Sequence, residues 1–404
     1  MASSLAGSQE TVVHQDDLGL DLLPVAAIYG ANAAGKSNIL AAIQFLSRAV
    51  EDSHRRWRPE GPIPQEPFLL DPQSQMAPSR FEIDFLLGGV RHRYGFELDA
   101  DRVREEWLYA YPSRRQQLWF HRGSQGAAPF EFGKSLRGNN RRISALARRN
   151  SLFLSAAAEN NHPALSPVYS WLVERLSFAD GENREERIRL TAELVRNHKS
   201  AVLALLRLAD LGITDLDLKS RFDSQLREAM RSLGPSFERL DESPLHETIL
   251  EFRHSSTASP AGLSLPIEYE SRGTRAWLSL AGSILQALDA GAVLCVDELD
   301  ASLHPLLALE VIRIFQDPAR NPKRAQLIFN THDTTPLGNL LGGPILRRDQ
   351  IWFVEKDDGG ATHLYPLTEL KPRRDENFER GYLQGRYGAV PFIASAPAAD
   401  AGDA

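Results

Sequence analysis

The stretch Gly30-Ala31-Asn32-Ala33-Ala34-Gly35-Lys36-Ser37 places four residues between two glycines and follows the second with a lysine and a hydroxyl. In a G-x-x-x-x-G-K-[ST] loop the glycines let backbone N–H groups wrap a chain of phosphates. The lysine ammonium reaches the β- and γ-phosphates, and the Ser37 hydroxyl is offered to Mg²⁺. Val25 to Tyr29 is a short apolar run ending at the loop, which reads as a buried strand, while Ile39, Leu40, Ile43 and Leu46 follow helical spacing. The unit is therefore strand, loop, helix. Asn38 lies in the first helical turn, where the positive end of the helix favours an anion. The ligand this chemistry calls for is ATP with Mg²⁺.

Three further constellations lie downstream. Leu294-Cys295-Val296 is an apolar strand that ends in Asp297-Glu298. At such a strand end Asp297 would hold Mg²⁺, through water or directly, and Glu298 would orient and polarise an attacking water. Taken alone, two carboxylates after a strand could serve solubility only. Asn330-Thr331-His332-Asp333 follows a second apolar strand. A lone histidine there is more often structural, but the carboxyl edge of parallel strands is where ligands sit in α/β sheets, so His332 could sense a γ-phosphate. Ser271-Arg272-Gly273-Thr274 opens a helix. Ser271 reads first as an N-cap; the functional alternative is a second anion site built from Ser271, Gly273 and Thr274.

The elements that must position these groups can be read from pattern. Gly61 to Pro78 is proline-rich and reads as loop. Phe81, Ile83, Phe85 and Leu87 alternate, Gly88-Gly89 turns, and Tyr94, Phe96 and Leu98 alternate again, which predicts a hairpin. Trp107 to Tyr111 and Gln117 to Phe120 extend it as an antiparallel sheet. Residues 135–247 read as a charged helical lobe whose longest helix is Glu186 to Leu208, without the sustained heptads of a coiled-coil arm. Strands are expected at Ile249–Arg253, Leu263–Tyr269 and His363–Tyr365, and a helix over Thr274–Leu288. The expected division is 1–134 for the P-loop part, 135–247 for the lobe and 248–394 for the return of the nucleotide-binding fold. Residues 395–404, rich in Ala, Pro and Asp, read as a disordered tail.

Composition narrows the classes. With 42% apolar and 25% charged residues the chain is globular in type, and no apolar run reaches the eighteen residues of a membrane span. The N-terminus lacks a secretory pattern. The one cysteine, Cys295, excludes an internal disulfide and a Cys-based metal cluster, so the cytoplasm is the expected compartment. A net charge of −7 argues against a protein that mainly coats nucleic acid. Local contact with nucleic acid stays open because of arginine clusters at 55–58, 141–149, 347–348 and 373–374, each of which read alone is a solvated face.

The order P-loop, long insertion, Ser-x-Gly-Thr helix start, Asp-Glu strand end, His strand end resembles the ABC ATPase arrangement. The resemblance is closer at Asp297-Glu298-Leu299-Asp300-Ala301-Ser302-Leu303-His304-Pro305. The chain is similar there to bacterial ABC-type "AAA family" ATPases of the abortive-infection and phage-defence group. These include the ATPase of the PARIS system and the RloA proteins, and more distantly the heads of OLD nucleases and SMC proteins. Further landmarks are Leu208 to Ile213, Arg348 to Phe353 and Tyr382 to Phe392.

The resemblance implies an α/β fold, a P-loop NTPase of ABC-ATPase type with an antiparallel side sheet and an inserted helical lobe. Gly30 to Ser37 becomes the Walker A loop, Asp297-Glu298 the Walker B pair, Ser271 to Thr274 the signature, Ala301 to His304 the D-loop and His332 the switch histidine. The signature of one subunit would clamp ATP held by the P-loop of another, so a homodimer or higher homo-oligomer is implied. Ala33 and Asn330 depart from the Ser and Thr common in the family. The strand pair that usually precedes the P-loop is not expected, because the chain starts too late for it. The linking glutamine is left among Gln65, Gln73 and Gln75. The stretch after His332 reads as too short for a Toprim nuclease. The leading expectation is therefore an ATP switch gating a separate, nuclease-like protein from a neighbouring gene. A DNA-gripping repair ATPase of SMC/RecF type is the alternative, and a scaffold that binds ATP without turnover is a third reading that Glu298 opposes.

Overall fold

The computed structural model describes residues 13–15, 20–123, 129–209, 211–222, 246–257, 259, 262–339, 343–373 and 376–391. The tail at 395–404, the lobe residues 223–245 and the landmark residues Asp210 and Phe392 lie outside them. The chain divides into two compact units, one made of 1–173 with 329–404 and the other of 174–328.

In the first unit β1 (Val13–Gln15) pairs antiparallel with β2 (Leu20–Leu22). A short strand pair thus does precede the P-loop strand, against expectation. The run Val-His-Gln is too short and too polar to announce itself as a strand. Next comes β3 (Val25–Gly30), every residue buried, and then α1 (Lys36–Asp52). The proline-rich stretch is not all loop: Asp71 accepts from the N–H groups of Gln73 and Ser74 and starts the short α2 (Pro72–Met76), with proline in its first turn.

The hairpin forms as its alternation dictates, β4 (Ser79–Leu87) pairing Leu87 with Val90 of β5 (Val90–Leu98). Gly88 and Gly89 both sit at positive φ, 58° and 75°, as a tight two-residue hairpin turn demands. β6 (Val103–Tyr111), β7 (Gln117–Arg122) and β8 (Phe130–Phe132) complete a five-stranded antiparallel sheet in the order β4-β5-β6-β7-β8. Its inner face packs with α1, α4 (Phe153–Glu159) and α5 (Ser166–Glu174), which follow the short α3 (Asn140–Ser144). Leu46, Val50, Tyr94, Phe96, Leu108, Phe120, Phe153 and Leu172 belong to that core.

One acid is locked inside it. Glu106 on β6 is fully buried and accepts hydrogen bonds from Tyr94 Oη (3.0 Å), Phe153 N (2.5 Å) and Leu154 N (3.0 Å), with Arg122 Nη1 4.0 Å away. The carboxylate thus takes two of the unpaired N–H groups at the start of α4, where no local side chain caps the helix. Burial pushes its carboxyl above the usual range, against the pull of Arg122 and the backbone donors.

The second unit holds β9 (Leu176–Ala179), α6 (Arg184–Leu208), β10 (Ile213–Phe222), β11 (His246–His254), β12 (Leu263–Pro266), α7 (Arg272–Ala290), β13 (Val293–Val296) and α8 (Pro305–Gln316). The lobe expected at 135–247 is therefore not simply helical. β9 pairs in parallel with β13, and β10-β11-β12 form an antiparallel sheet. Asp215 and Asp217 project from β10 and are neutralised by Lys199 of α6 and Arg253 of β11. These charges, each paired across elements, masked the strand alternation. α6, non-helical at His198, packs closely on α7: a Cβ on Gly282 would lie 2.2 Å from Thr191 Oγ1, and Trp277 Nε1 donates to Leu205 O at 2.9 Å.

The chain re-enters the first unit within β14 (Gln326–Asn330) and continues to β15 (Ile351–Lys356), β16 (Thr362–Pro366) and α9 (Phe378–Leu383). In the first unit the strands run in the order β16-β15-β3-β14. β15 is parallel to β3 and antiparallel to the edge strand β16. The Tyr382 to Ala389 part of the C-terminal landmark packs inward: Tyr382, Tyr387 and Ala389 are all buried.

Candidate functional site

In the first unit the loop between β3 and α1 is shaped by its close neighbours. A Cβ on Gly30 would lie 2.7 Å from Val354 O of β15, so the strand can approach only a glycine there. Gly35 sits at φ 98° and a Cβ on it would lie 2.3 Å from Thr362 Oγ1, whose hydroxyl donates to Ala34 O at 3.0 Å. Ala33 takes φ 59°, a left-handed conformation rare outside glycine. Lys36 is buried, and its Nζ donates to Gly30 O (2.9 Å) and Ala31 O (3.1 Å), which curls the ammonium into the loop. Asn32, Ser37 and Asn38 are exposed, and the first turn of α1 carries no acidic side chain. An N-terminal helix turn free of carboxylates, a buried ammonium and a wrapped backbone form a cradle that suits a polyphosphate.

His332 follows the end of β14 in the same unit. Thr331 N donates to Ile28 O of β3 at 3.3 Å, which sets the histidine turn beside the strand leading into the loop. His332 is exposed, while Asn330 is fully buried. The turn is braced internally: Asp333 N donates to Thr331 Oγ1 (3.0 Å) and Thr335 N to Asp333 Oδ1 (2.9 Å). Of the three glutamines considered, Gln73 and Gln75 are exposed on α2. Gln65 is half-buried, its Oε1 shielded from solvent with no hydrogen-bond partner among the described residues.

In the second unit Asp297 and Glu298 leave the fully buried β13. Asp297 N donates to Ala179 O of β9 at 2.9 Å; Glu298 is exposed, at φ 55°. Cys295 between the core strands has its thiol pushed up to about 12 by burial, so it takes no part as a thiolate. Ser271 accepts from Thr274 N at 3.0 Å and lies 2.9 Å from Thr274 Oγ1, so it is an N-cap. The residues at that helix start are nonetheless open: Ser271 and Arg272 are exposed and Gly273 half-exposed. A Cβ on Gly273 would be 3.4 Å from Ser302 O, so the helix start and the turn after Glu298 are neighbours within this unit. Ser302, exposed, takes φ 66°. His304 caps α8 by accepting from Leu306 N, a role not read from sequence.

A parallel-sheet strand, β3, that feeds a glycine loop and a helix defines a P-loop nucleotide-binding ATPase domain of mixed α/β type. The chain belongs to the family described as "AAA domain, putative AbiEii toxin, Type IV TA system", which matches residues 25–336. No curated protein matches it. Among solved structures it is similar to the SMC head domain from Thermotoga maritima, with 14% identity, a TM-score of 0.35, and coverage of 84% of this chain and 89% of that one. An SMC head with an extended coiled coil bound to the C-terminal domain of ScpA, from Pyrococcus furiosus, shares 15% identity over 87% of this chain and 93% of that chain, with a TM-score of 0.30. Among the described residues no helix is long and apolar enough to cross a membrane.

Proposed function

We propose that this chain is an ATP-hydrolysing switch whose site closes between two copies. Gly30 to Ser37 with Asn38 would hold the phosphates of ATP. Ser37 and Asp297, both hard oxygen donors, would hold Mg²⁺, with Gln65 the candidate linking glutamine. The metal supplies charge neutralisation at the phosphates. Glu298 would accept a proton from the attacking water, Lys36 would neutralise charge on the transferred phosphoryl, and His332 would read the γ-phosphate. Ser271, Gly273 and Thr274 would serve the nucleotide of the second copy.

The observation that carries the reading is the open start of α7. Ser271 and Arg272 face solvent at the head of a nineteen-residue helix with no acidic side chain in its first turn, next to the exposed Ser302 turn. Such an end favours an anion, here read as the γ-phosphate held by a second copy. The family description, which names a toxin–antitoxin system, supports a role in bacterial defence. On this reading the switch gates a separate nuclease-like protein from a neighbouring gene, in the cytoplasm.

Mass measurement with and without Mg·ATP, together with phosphate release, tests the proposal. We expect a two-copy or larger species with ATP, turnover of ATP, and co-purification of a neighbouring gene product from the native host. A monomer indifferent to ATP would overturn the composite site. Degradation of nucleic acid by the purified chain alone would overturn the separate effector.

A second reading, that the ATP state controls a grip on DNA, is favoured by one juxtaposition. Arg148 Nη2 donates to Ser53 O and Trp57 O, and Asn150 Nδ2 to Arg58 O and Gly61 O. Two clusters far apart in sequence are thereby pinned together, with Arg55, Arg58, Arg141, Arg142 and Arg149 all exposed. If four or five of them touch phosphates, log affinity should fall against log salt with a slope of about −4. A flat salt response removes this reading.

A further inference from the structure

We infer that the C-terminal segment 376–391 is a clasp that holds the His332 turn in register with the P-loop strand, and that Glu379 is its positioning residue. The inference deepens the switch reading and rests on it for the role of His332.

The clasp grips at two ends. At one, Thr334 Oγ1, two residues past His332, donates to Glu379 Oε1 on α9 at 3.0 Å. Gly338 lies against the same carboxylate: a Cβ on it would be 2.4 Å from Glu379 Oε2, so a larger residue there would displace the Glu379 side chain. At the other end, the Tyr382 ring packs edge-on against Tyr29 (5.7 Å between centroids) and stacks on Phe353 of β15 (5.5 Å). Tyr29 immediately precedes Gly30, the first residue of the phosphate loop.

The segment is itself fastened down. Asn377 caps α9 by accepting from Arg380 N at 2.9 Å. Tyr382 Oη donates to Ala389 O (3.1 Å), Tyr365 Oη to Tyr387 O (2.8 Å), and Ala389 N to Glu355 of β15. Gly381 has no room for a Cβ because the Tyr387 hydroxyl lies 2.5 Å from where it would be. One six-residue helix therefore touches the strand that enters the phosphate loop and the turn that carries His332. Losing the Glu379 contact frees that turn while the aromatic anchor stays in place.

The test compares wild type, Glu379→Ala, Glu379→Gln, His332→Ala and the His332→Ala/Glu379→Ala pair, by steady-state ATP hydrolysis and by hydrogen exchange of residues 331–337. Glutamine keeps an oxygen for the Thr334 hydroxyl and alanine does not. For Glu379→Ala we expect faster exchange in the turn and a kcat about tenfold lower at unchanged KM, the worth of one hydrogen bond. Glu379→Gln should stay near wild type by both measures. In the His332→Ala background the further loss from Glu379→Ala should vanish. The inference is overturned if Glu379→Ala leaves exchange at 331–337 unchanged, or costs the same in both backgrounds. A wild-type chain without hydrolysis would instead sink the switch reading, and the exchange measurement would still decide whether Glu379 holds the turn.

Discussion

Glu298→Gln should lower ATP turnover by about 10²- to 10⁴-fold, the usual worth of a positioned general base, while leaving ATP bound. The side chain stands exposed one residue beyond Asp297, at the end of a strand whose four residues are all buried. Its φ of 55° costs on the order of 1–3 kcal/mol for a residue other than glycine. That strain is held by β13 on one side and by the turn closed by Ala301 N donating to Glu298 O on the other. Glutamine keeps the shape and the backbone conformation and removes only the proton acceptor. Single-turnover hydrolysis alongside ATP binding separates the two effects. The ATP-bridged species should accumulate in this variant, since closing no longer leads to cleavage. Turnover at the wild-type rate would move the base to another residue and leave the strained φ of Glu298 without a role.

A loss of similar weight, in stability rather than chemistry, is expected for Glu106→Ala. Removing one partner of a buried ion pair costs about 3–5 kcal/mol, because the other charge is left without compensation. Here the partner is Arg122, itself buried, which also donates to the carbonyls of Ser151, Arg148 and Arg149 and lies over the Phe130 ring. The substitution also strips the acceptor from Phe153 N, Leu154 N and the Tyr94 hydroxyl. Glu106→Gln should fall between the two, since one oxygen still accepts. Denaturant unfolding of the three proteins checks the order. An alanine variant within 1 kcal/mol of wild type would mean that water or local rearrangement replaces the carboxylate.

How far sequence alone reaches is set by where the ordering information lies. The phosphate loop, the hairpin at 79–98 and the carboxylates after β13 were legible because each depends on its own neighbours: glycine φ, strict alternation, an apolar run broken by charge. α7 was legible to within two residues, with Ser271 before it and Gly291 after it at φ 63°. β9 was not, since Leu-Ser-Phe-Ala has no period and becomes a strand only by pairing with β13. β10 was missed although it alternates, because Asp215, Asp217 and Lys219 looked like a polar helix face until their partners on α6 and β11 were known. The proposed site residues divide in the same way. Lys36, Asp297, Glu298 and His332 are marked by motif, whereas Thr362, Glu379 and His304 act through contacts that no local pattern announces.

The pairing of β3 with β15 also has a consequence for synthesis. Ala27 lies opposite Ile351, more than three hundred residues later in the chain. Thr362, which bonds the loop at Ala34, is later still. At roughly 5–20 residues per second of translation, the phosphate loop waits tens of seconds on the ribosome before its supporting strand exists. A ribosome that stops short of β15 releases a chain with every motif residue in place and no wall behind the loop. The support behind the loop therefore forms only after residues 351–362 have been made, and the apolar β3 must be kept from aggregating throughout that interval.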